Sequence, residues 1–364
     1  MTNSNTKLSI PIGKGSFGYV NLLFNPDDDK LIARKVLINN PQAEKYIHRE
    51  IENMKSLKNT YGFVHMISHT KDANNNETVD MDFIPSGSLR AMLKNVFSNK
   101  YIDGYDSTQE IIVAYGIAFL MSKMHKLNKI HRDLKPDNIL LDHNLYPHIC
   151  DFGLARDYDV DLDITRCGTR NYIAPEVLNG NKKICIQSDV YMLGMTMYEM
   201  VELTYPYQGL TEEVVKYKIF NHVLPEFSES NKDHRLIPVI KQCWELDPNK
   251  RPSMEKVTQL LSDIFINDTE NFLDKERFTK YVNFLKDMDT KTSNEIPNCG
   301  TIKNLRIAAQ RGNPFSIDLL SEAVKSNFNF MQEKERIEKI LRRSANSTDG
   351  SESDNEEEEY DADL

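Results

Sequence analysis

The chain has 364 residues, of which 40% are hydrophobic and 27% are charged, a composition typical of a soluble globular protein. Its formal net charge is −10, but nine acidic residues and no Lys or Arg lie in 345–364, so the rest carries only −1. A nearly neutral body lacks the global field that attracts nucleic acid or an anionic membrane, and we expect neither partner.

Targeting features and cysteines indicate the compartment. The N-terminus is polar, and the longest apolar run, 111–121, is too short to span a bilayer. Five scattered cysteines, without metal-ligand spacing, fit reduced thiols. We therefore expect an intracellular protein, in the cytoplasm, with the nucleus left open.

The pattern of elements changes twice along the chain. From Leu8 to Phe83, short β-type runs alternate with turn clusters and are interrupted by one helix that begins near Pro41. From Gly87 to Asp263 the pattern is mostly helical, apart from a strand-like, loop-rich stretch at 129–176. We predict a sheet lobe at 8–84, a helical lobe at 85–263, a helical extension at 264–344 and a disordered acidic tail at 345–364. The extension reads as helices at 269–288, 301–311, 315–327 and 331–343.

A glycine-rich segment joins the first two predicted strands. Its glycines permit a tight turn and let backbone N–H groups approach phosphates. The pattern alone also fits a plain hairpin or a dinucleotide-binding turn, although the latter requires a helix directly after the glycines, and the residues after Gly18 are strand-like. The glycine segment therefore stays ambiguous by itself.

A lysine and a glutamate follow at suggestive positions. Lys35 shares a predicted strand with Ala33 and could pair with nucleotide phosphates, provided that a carboxylate holds it. Glu50 lies on the predicted helix with Ile47 and Met54 on the same face, so it can turn inward. Two exposed surface charges are the alternative.

The segment 130–138 and the triplet that begins at Asp151 carry the strongest signal. Phosphoryl transfer needs a carboxylate that orients the acceptor, oxygen ligands for a metal and positive charge near the phosphates. Asp133 can accept the hydroxyl proton, and Lys135 can neutralise charge on the transferring group. Asn138 and Asp151 supply hard oxygen ligands that suit Mg²⁺, with Mn²⁺ also possible.

With these motifs in order, residues 8–263 resemble eukaryotic protein kinases almost end to end. The resemblance implies an α+β, bilobal fold, with ATP and Mg²⁺ as cofactors and proteins as substrates. It also implies that Met81 borders the nucleotide pocket, that Glu176 pairs with Arg251, and that Asp189 anchors the catalytic loop. The implied catalytic residues are Asp133, Lys135, Lys35 and Glu50. The implied nucleotide-binding residues are Ile12, Gly13, Lys14, Gly15, Ser16, Phe17, Gly18, Val20, Ala33, Lys35, Asp82, Ile84 and Leu140.

Substrate class follows from the same resemblance. The residues 133–136 and the stretch around Thr169 are similar to the serine/threonine pattern, with Thr169 expected beside the acceptor site. Ser86 to Leu89 and Trp244 resemble the tyrosine-kinase-like group. We predict a serine/threonine kinase of that group, acting in intracellular signalling.

Regulation and alternatives remain open at this level. Thr165 and Tyr158 are candidate phosphorylation sites in the activation loop. The extension is expected to be a helical docking segment packed on the kinase, where a partner could also bind. A catalytically silent scaffold, a dual-specificity kinase and a small-molecule phosphotransferase are the rival interpretations.

Overall fold

The computed structural model describes residues 8–15, 18–24, 30–38, 41–157, 169–178, 185–292, 295–326 and 334–348. Within these ranges the chain forms a small lobe built on a sheet, a larger helical lobe and an appended helical extension. No helix in the described part of the chain is both long enough and apolar enough to cross a membrane.

The small lobe is an antiparallel sheet with the strand order β1-β2-β3-β5-β4. Its strands and the one helix that crosses between them are β1 (Leu8–Gly15), β2 (Gly18–Phe24), β3 (Leu31–Leu37), α1 (Pro41–Ser56), β4 (Met66–Lys71) and β5 (Glu77–Asp82). Opposite residues of antiparallel strands share a face, so the pairs Val20↔Lys35 and Leu22↔Ala33 place all four side chains on one side of the sheet. Helix α1 buries Ile47, the residue one turn before Glu50.

The large lobe is mainly helical and carries short strands near the lobe boundary. Its elements are α2 (Leu89–Phe97), α3 (Ser107–Lys126), β6 (Lys129–Ile130), β7 (Ile139–Leu141), β8 (Pro147–Ile149), β9 (Arg156–Asp157), α4 (Pro175–Leu178), α5 (Ile186–Glu202), α6 (Glu212–Phe220), α7 (Ile237–Cys243) and α8 (Met254–Ile266). Helix α3 begins where the Asp106 side chain accepts a hydrogen bond from Gln109 N, and apolar residues all round the helix bury it in the core. Short hairpin β7–β8 and the pair β6–β9 frame the loops between them.

The extension consists of α9 (Lys275–Met288), α10 (Ile302–Gln310), α11 (Pro314–Lys325) and α12 (Lys334–Thr348). Helix α9 packs on the large lobe, where Tyr281 is completely buried. Helices α10 and α11 instead join a second apolar cluster with small-lobe residues such as Phe24, Leu31 and Phe83. Helix α12 continues to Thr348, so the predicted start of the disordered tail at 345 falls inside a helix.

The predicted α+β, bilobal architecture is confirmed, together with helices after the large lobe. The main core runs from α1 through α3 and α5 to α8, and α9 continues it. The second cluster lies under strands β1 to β3, so the extension contacts both lobes. The lobes and the extension converge on the segment 83–87, beside the predicted nucleotide site.

Candidate active site

Lys35 and Glu50 form a buried ion pair between strand β3 and helix α1. The Lys35 Nζ lies 2.7 Å from both carboxylate oxygens of Glu50. Burial by itself lowers the pKa of Lys35, but the charges of Glu50 and Asp151 outweigh it and raise that pKa above its usual value. The lysine therefore stays cationic, and its Nζ also lies 3.7 Å from Asp151 Oδ1.

Asp133 is surrounded by donors from three positions. Its Oδ2 accepts hydrogen bonds from Lys135 Nζ at 2.8 Å and from Asn138 Nδ2 at 2.9 Å. Its Oδ1 accepts from Thr169 N at 3.0 Å and from the Thr169 hydroxyl at 3.2 Å. These donors hold the carboxylate in one orientation, as a group that must receive a proton from a substrate hydroxyl requires.

The short 3₁₀ turn at 136–138 positions Asn138. The side-chain amide of Asn138 donates to the backbone oxygen of Asp133 at 2.8 Å as well as to its carboxylate. Because the nitrogen makes both bonds, the amide oxygen is the atom left to bind a cation. Asn138 is almost completely buried, which keeps that oxygen in a fixed place.

Asp151 stands in the left-handed region with φ 65° and is held by a residue that the motifs did not indicate. Tyr46, on α1, donates its hydroxyl to Asp151 Oδ1, and Lys35 Nζ lies 5.3 Å from the centre of the Tyr46 ring. Burial raises the pKa of Asp151, but Lys35 and the Tyr46 hydroxyl lower it below its usual value. Asp151 therefore stays ionised and suited to a cation.

The ring of Tyr46 also explains Gly153. A Cβ atom at position 153 would lie 1.9 Å from Cζ of that ring, so any larger residue there would have to displace the Tyr46 ring. The only sequence signal for Tyr46 is its place one helical turn before Glu50, which puts both side chains on the same face of α1.

The catalytic loop is anchored from helix α5. Asp189, fully buried, accepts hydrogen bonds from His131 N and Arg132 N, each at 2.9 Å. Arg132 has φ 71°, so these bonds stabilise a backbone conformation that is unfavourable for a non-glycine residue. The same buried region contains the Glu176 ion pair with Arg251, at 2.7 and 2.8 Å.

The predicted nucleotide-binding residues that the structure describes lie on the small-lobe sheet and where the two lobes join. Ala33 is buried, and Ile12, Val20 and Leu140 are half-buried, as walls of an apolar slot would be. Asp82 ends strand β5 and Ile84 is buried two residues later, at the junction of the lobes. Gly15 pairs with Gly18 across β1 and β2. Lys14, on the same strand end, is exposed.

Gly18 has a packing role as well. A Cβ atom there would lie 1.9 Å from the carbonyl oxygen of Val36, so the close approach of β2 to β3 requires glycine. Gly13 meets no such obstacle. The predicted nucleotide contacts Ser16 and Phe17 lie outside the described residues, as do the candidate phosphorylation sites Tyr158 and Thr165.

Helices α10 and α11 close the outer side of this region, which the motifs did not indicate. Asn313 Nδ2 donates to the Ser86 carbonyl at 3.1 Å, and the Ser316 hydroxyl donates to the Pro85 carbonyl at 2.8 Å. The ring of Phe315 packs beside Gly87. Ile12 and Val20 touch the cluster that these helices form with the sheet.

The family model described as "Protein kinase domain" matches residues 7–262, which is most of the chain. The chain belongs to the protein kinase family. Its kinase domain therefore includes both lobes and the site residues described above. The residues of α10 and α11 that contact this region lie outside the domain.

Relatives of this kinase agree with that placement. A probable serine/threonine-protein kinase of Dictyostelium discoideum is 30% identical over 72% of this chain, which covers 20% of that protein. The 3-phosphoinositide-dependent protein kinase B of the same organism is 30% identical over 68% of this chain, which covers 27% of it. A cAMP-dependent protein kinase catalytic subunit-like protein of Caenorhabditis briggsae is 31% identical over 70% of this chain, which covers 64% of it. The kinase thus spans less than two thirds of each of these relatives.

The family uses ATP and a divalent metal, and the residues present fit both. Asn138 and Asp151 offer two oxygen atoms, and oxygen is the ligand that Mg²⁺ prefers. Lys35 remains charged beside Asp151, where it can pair with phosphate oxygens. When bound, the metal supplies positive charge that neutralises the phosphates.

Proposed function

We propose that this chain is an ATP-dependent kinase that transfers the γ-phosphoryl group to serine and threonine hydroxyls of protein substrates. The observation that carries the proposal is the triangle formed by Asp133, Lys135 and Thr169. Lys135 Nζ lies 2.8 Å from Asp133 Oδ2 and 2.5 Å from Thr169 Oγ1, and that hydroxyl lies 3.2 Å from Asp133 Oδ1. Thr169 thus lies beside the proposed base, which supports the serine/threonine pattern that this part of the sequence resembles.

Each residue then has a defined task. Asp133 orients the acceptor hydroxyl and takes its proton as the new bond to phosphorus forms. Lys35, held by Glu50, fixes the nucleotide phosphates. Lys135 neutralises charge on the transferring group from the acceptor side. The protein itself forms no covalent bond in this reaction, so the rate acceleration comes from positioning the reactants and from stabilising charge.

Supporting the substrate class, the first relative named above carries a serine/threonine-protein kinase name, although this chain covers only 20% of that protein. The tyrosine-kinase-like subgroup stays a prediction. The proposal includes an intracellular, cytoplasmic role in signalling, with proteins as substrates. It includes no nucleic acid or membrane partner, because the body outside the acidic tail is nearly neutral. A partner that docks on the extension belongs to it as well.

The test is a phosphorylation profile on a peptide array with labelled ATP and Mg²⁺. Asp133→Asn removes the base but keeps the shape of the side chain, and Asp103→Asn changes an exposed aspartate away from the site as a matched control. We expect phosphoserine and phosphothreonine with wild type and the Asp103 variant, and loss of about 10²- to 10⁴-fold in rate with Asp133→Asn.

Four outcomes would contradict the proposal. Equal incorporation by Asp133→Asn would show that Asp133 is not the base. Nucleotide binding without any transfer by wild type would favour a silent scaffold. Phosphotyrosine at a comparable rate would replace the serine/threonine assignment with dual specificity, and transfer to small molecules alone would remove the protein substrate.

A further inference from the structure

Three buried side chains with metal-binding atoms meet close to the junction of the lobes. Asp142 follows strand β7, His148 lies in β8, and Cys299 lies in the segment that leads into α10. Their ligand atoms lie within 4.8 Å of one another, and the residues are only 3%, 4% and 7% exposed. None of the three takes part in the phosphoryl-transfer site.

The contacts converge on a single atom. His148 Nε2 lies 3.7 Å from Asp142 Oδ2, 3.7 Å from Cys299 Sγ and 3.5 Å from the Tyr61 hydroxyl. One ring nitrogen offers either one N–H or one lone pair, so it can make one well-aligned hydrogen bond, and distances of this length are too great for strong ones between nitrogen and oxygen. The cluster therefore has more polar atoms around Nε2 than hydrogen bonding can use.

The spacing matches that of ligands around a tetrahedral ion. With zinc bond lengths of about 2.0–2.3 Å, neighbouring ligand atoms in a tetrahedron lie about 3.4–3.6 Å apart. The two distances of 3.7 Å from Nε2 to sulfur and to the carboxylate oxygen are close to that value. Thiolate, imidazole and carboxylate are also the ligand set that zinc takes in proteins.

Two of the three ligands, Asp142 and Cys299, are held in place by backbone contacts. Asp142 Oδ1 accepts from Asn144 N at 2.7 Å and Tyr146 N at 2.9 Å, which leaves Oδ2 directed at His148. The Cys299 carbonyl accepts from Thr301 N at 3.1 Å. A site whose ligands are fixed before binding loses little entropy when the ion enters.

A divalent ion also suits the charge that this set of ligands carries once it binds a metal. One divalent ion would neutralise a buried thiolate and a buried carboxylate together.

We propose that Asp142, His148 and Cys299 bind one Zn²⁺ ion, with the Tyr61 hydroxyl or a water at the fourth position. The ion would join the hairpin β7–β8 of the large lobe to the start of the extension. Directly after Cys299, the Gly300 carbonyl accepts from Leu31 N at 2.8 Å, so the same segment is tied to the small lobe as well. Zinc would thus fix the extension at the point where it crosses between the lobes.

The first test uses the full chain, purified without a histidine tag, treated with chelator and then given Zn²⁺ or Co²⁺ in excess Mg²⁺. We expect about one zinc per chain and, with cobalt, a thiolate-to-metal charge-transfer band in the near ultraviolet. Both should be lost in Cys299→Ala. Both should persist in Cys150→Ala, which removes the thiol next to Asp151 and so tests for cobalt bound at the nucleotide site instead.

The second measurement follows amide hydrogen exchange of α10 and α11 with and without zinc. Zinc should slow that exchange in wild type and leave it unchanged in Cys299→Ala. Absence of both stoichiometric zinc and the cobalt band in wild type would overturn the proposal and leave a polar cluster without an ion. Because this result is read from wild type, it holds even if Cys299→Ala fails to fold. It is also independent of kinase activity.

Discussion

The Thr169 hydroxyl offers a sharp test of how the acceptor site is built. It accepts from Lys135 Nζ at 2.5 Å and donates to Asp133 Oδ1 at 3.2 Å, so Thr169→Ala removes two contacts with charged groups. The backbone bond from Thr169 N to Asp133 Oδ1, 3.0 Å long, should survive the change. Lys135 and Asp133 keep their direct contact at 2.8 Å, but they lose the Thr169 hydroxyl that bonds to both side chains and orients them.

A hydrogen bond to a charged group contributes about 1.5–3 kcal/mol. If that contribution is needed for the transition state, Thr169→Ala lowers kcat/KM for a serine peptide by about 10- to 150-fold. Thr169→Ser keeps the hydroxyl and should remain within about threefold of wild type. The affinity for ATP, measured with a fluorescent nucleotide, should not change in either variant, because the described hydrogen bonds of the Thr169 side chain go to Lys135 and Asp133, on the acceptor side.

The assay is steady-state phosphorylation of one serine peptide and of its threonine counterpart. A Thr169→Ala enzyme as fast as Thr169→Ser would refute the reasoning, since the hydroxyl would then be dispensable. Equal losses in both variants would also refute it, because the cause would then lie in the threonine methyl group.

Three further predictions concern charges. Glu176→Gln leaves Arg251 buried without the carboxylate that neutralises it, and should lower the free energy of unfolding, measured in urea, by about 3–5 kcal/mol. The control Glu52→Gln, on the exposed face of α1, should change that free energy by less than about 1 kcal/mol. Glu50→Gln removes the carboxylate that holds the active-site lysine and should lower kcat/KM about 10- to 150-fold, with Glu52→Gln near wild type; equal rates for the two would contradict it. Burial raises the pKa of Asp189, but its hydrogen bonds outweigh burial and keep that pKa below normal. The stability that ionised Asp189 adds to the fold is therefore complete above the pKa of the unfolded chain, about 4, and is lost as the pH falls through the pKa of the folded protein. The difference in free energy of unfolding between wild type and Asp189→Asn, measured in urea, should therefore shrink below about pH 4. A difference that stays constant with pH would contradict this prediction.

The sequence predicted the parts of the site that local motifs encode. The spacing within 130–138 put Asp133, Lys135 and Asn138 on one short segment, and the helix position of Glu50 allowed it to turn inward, but the resemblance to kinases was needed to join these segments into one site. Tyr46 was missed since a tyrosine on a helix face is ordinary, and only the position of Asp151 makes it notable.

Contacts across long sequence separations could not be predicted in the same way. The docking of Asn313 on the Ser86 carbonyl joins residues 227 positions apart, and the pair His148 and Cys299 spans 151. No periodicity or local spacing encodes such pairs, since they depend on where whole elements pack. The helical extension was predicted, but its second apolar cluster with the sheet was not.

The position of α10 and α11 matters to anyone who designs inhibitors. Beyond Ile12 and Phe83, an adenine-like compound with a solvent-directed substituent would meet Phe315 and its neighbours. A flat apolar group placed there gains contact area, whereas a bulky charged group loses its hydration shell. Compounds that contact Phe315 and its neighbours should therefore bind this kinase more tightly than kinases in which the same edge of the pocket is open to water.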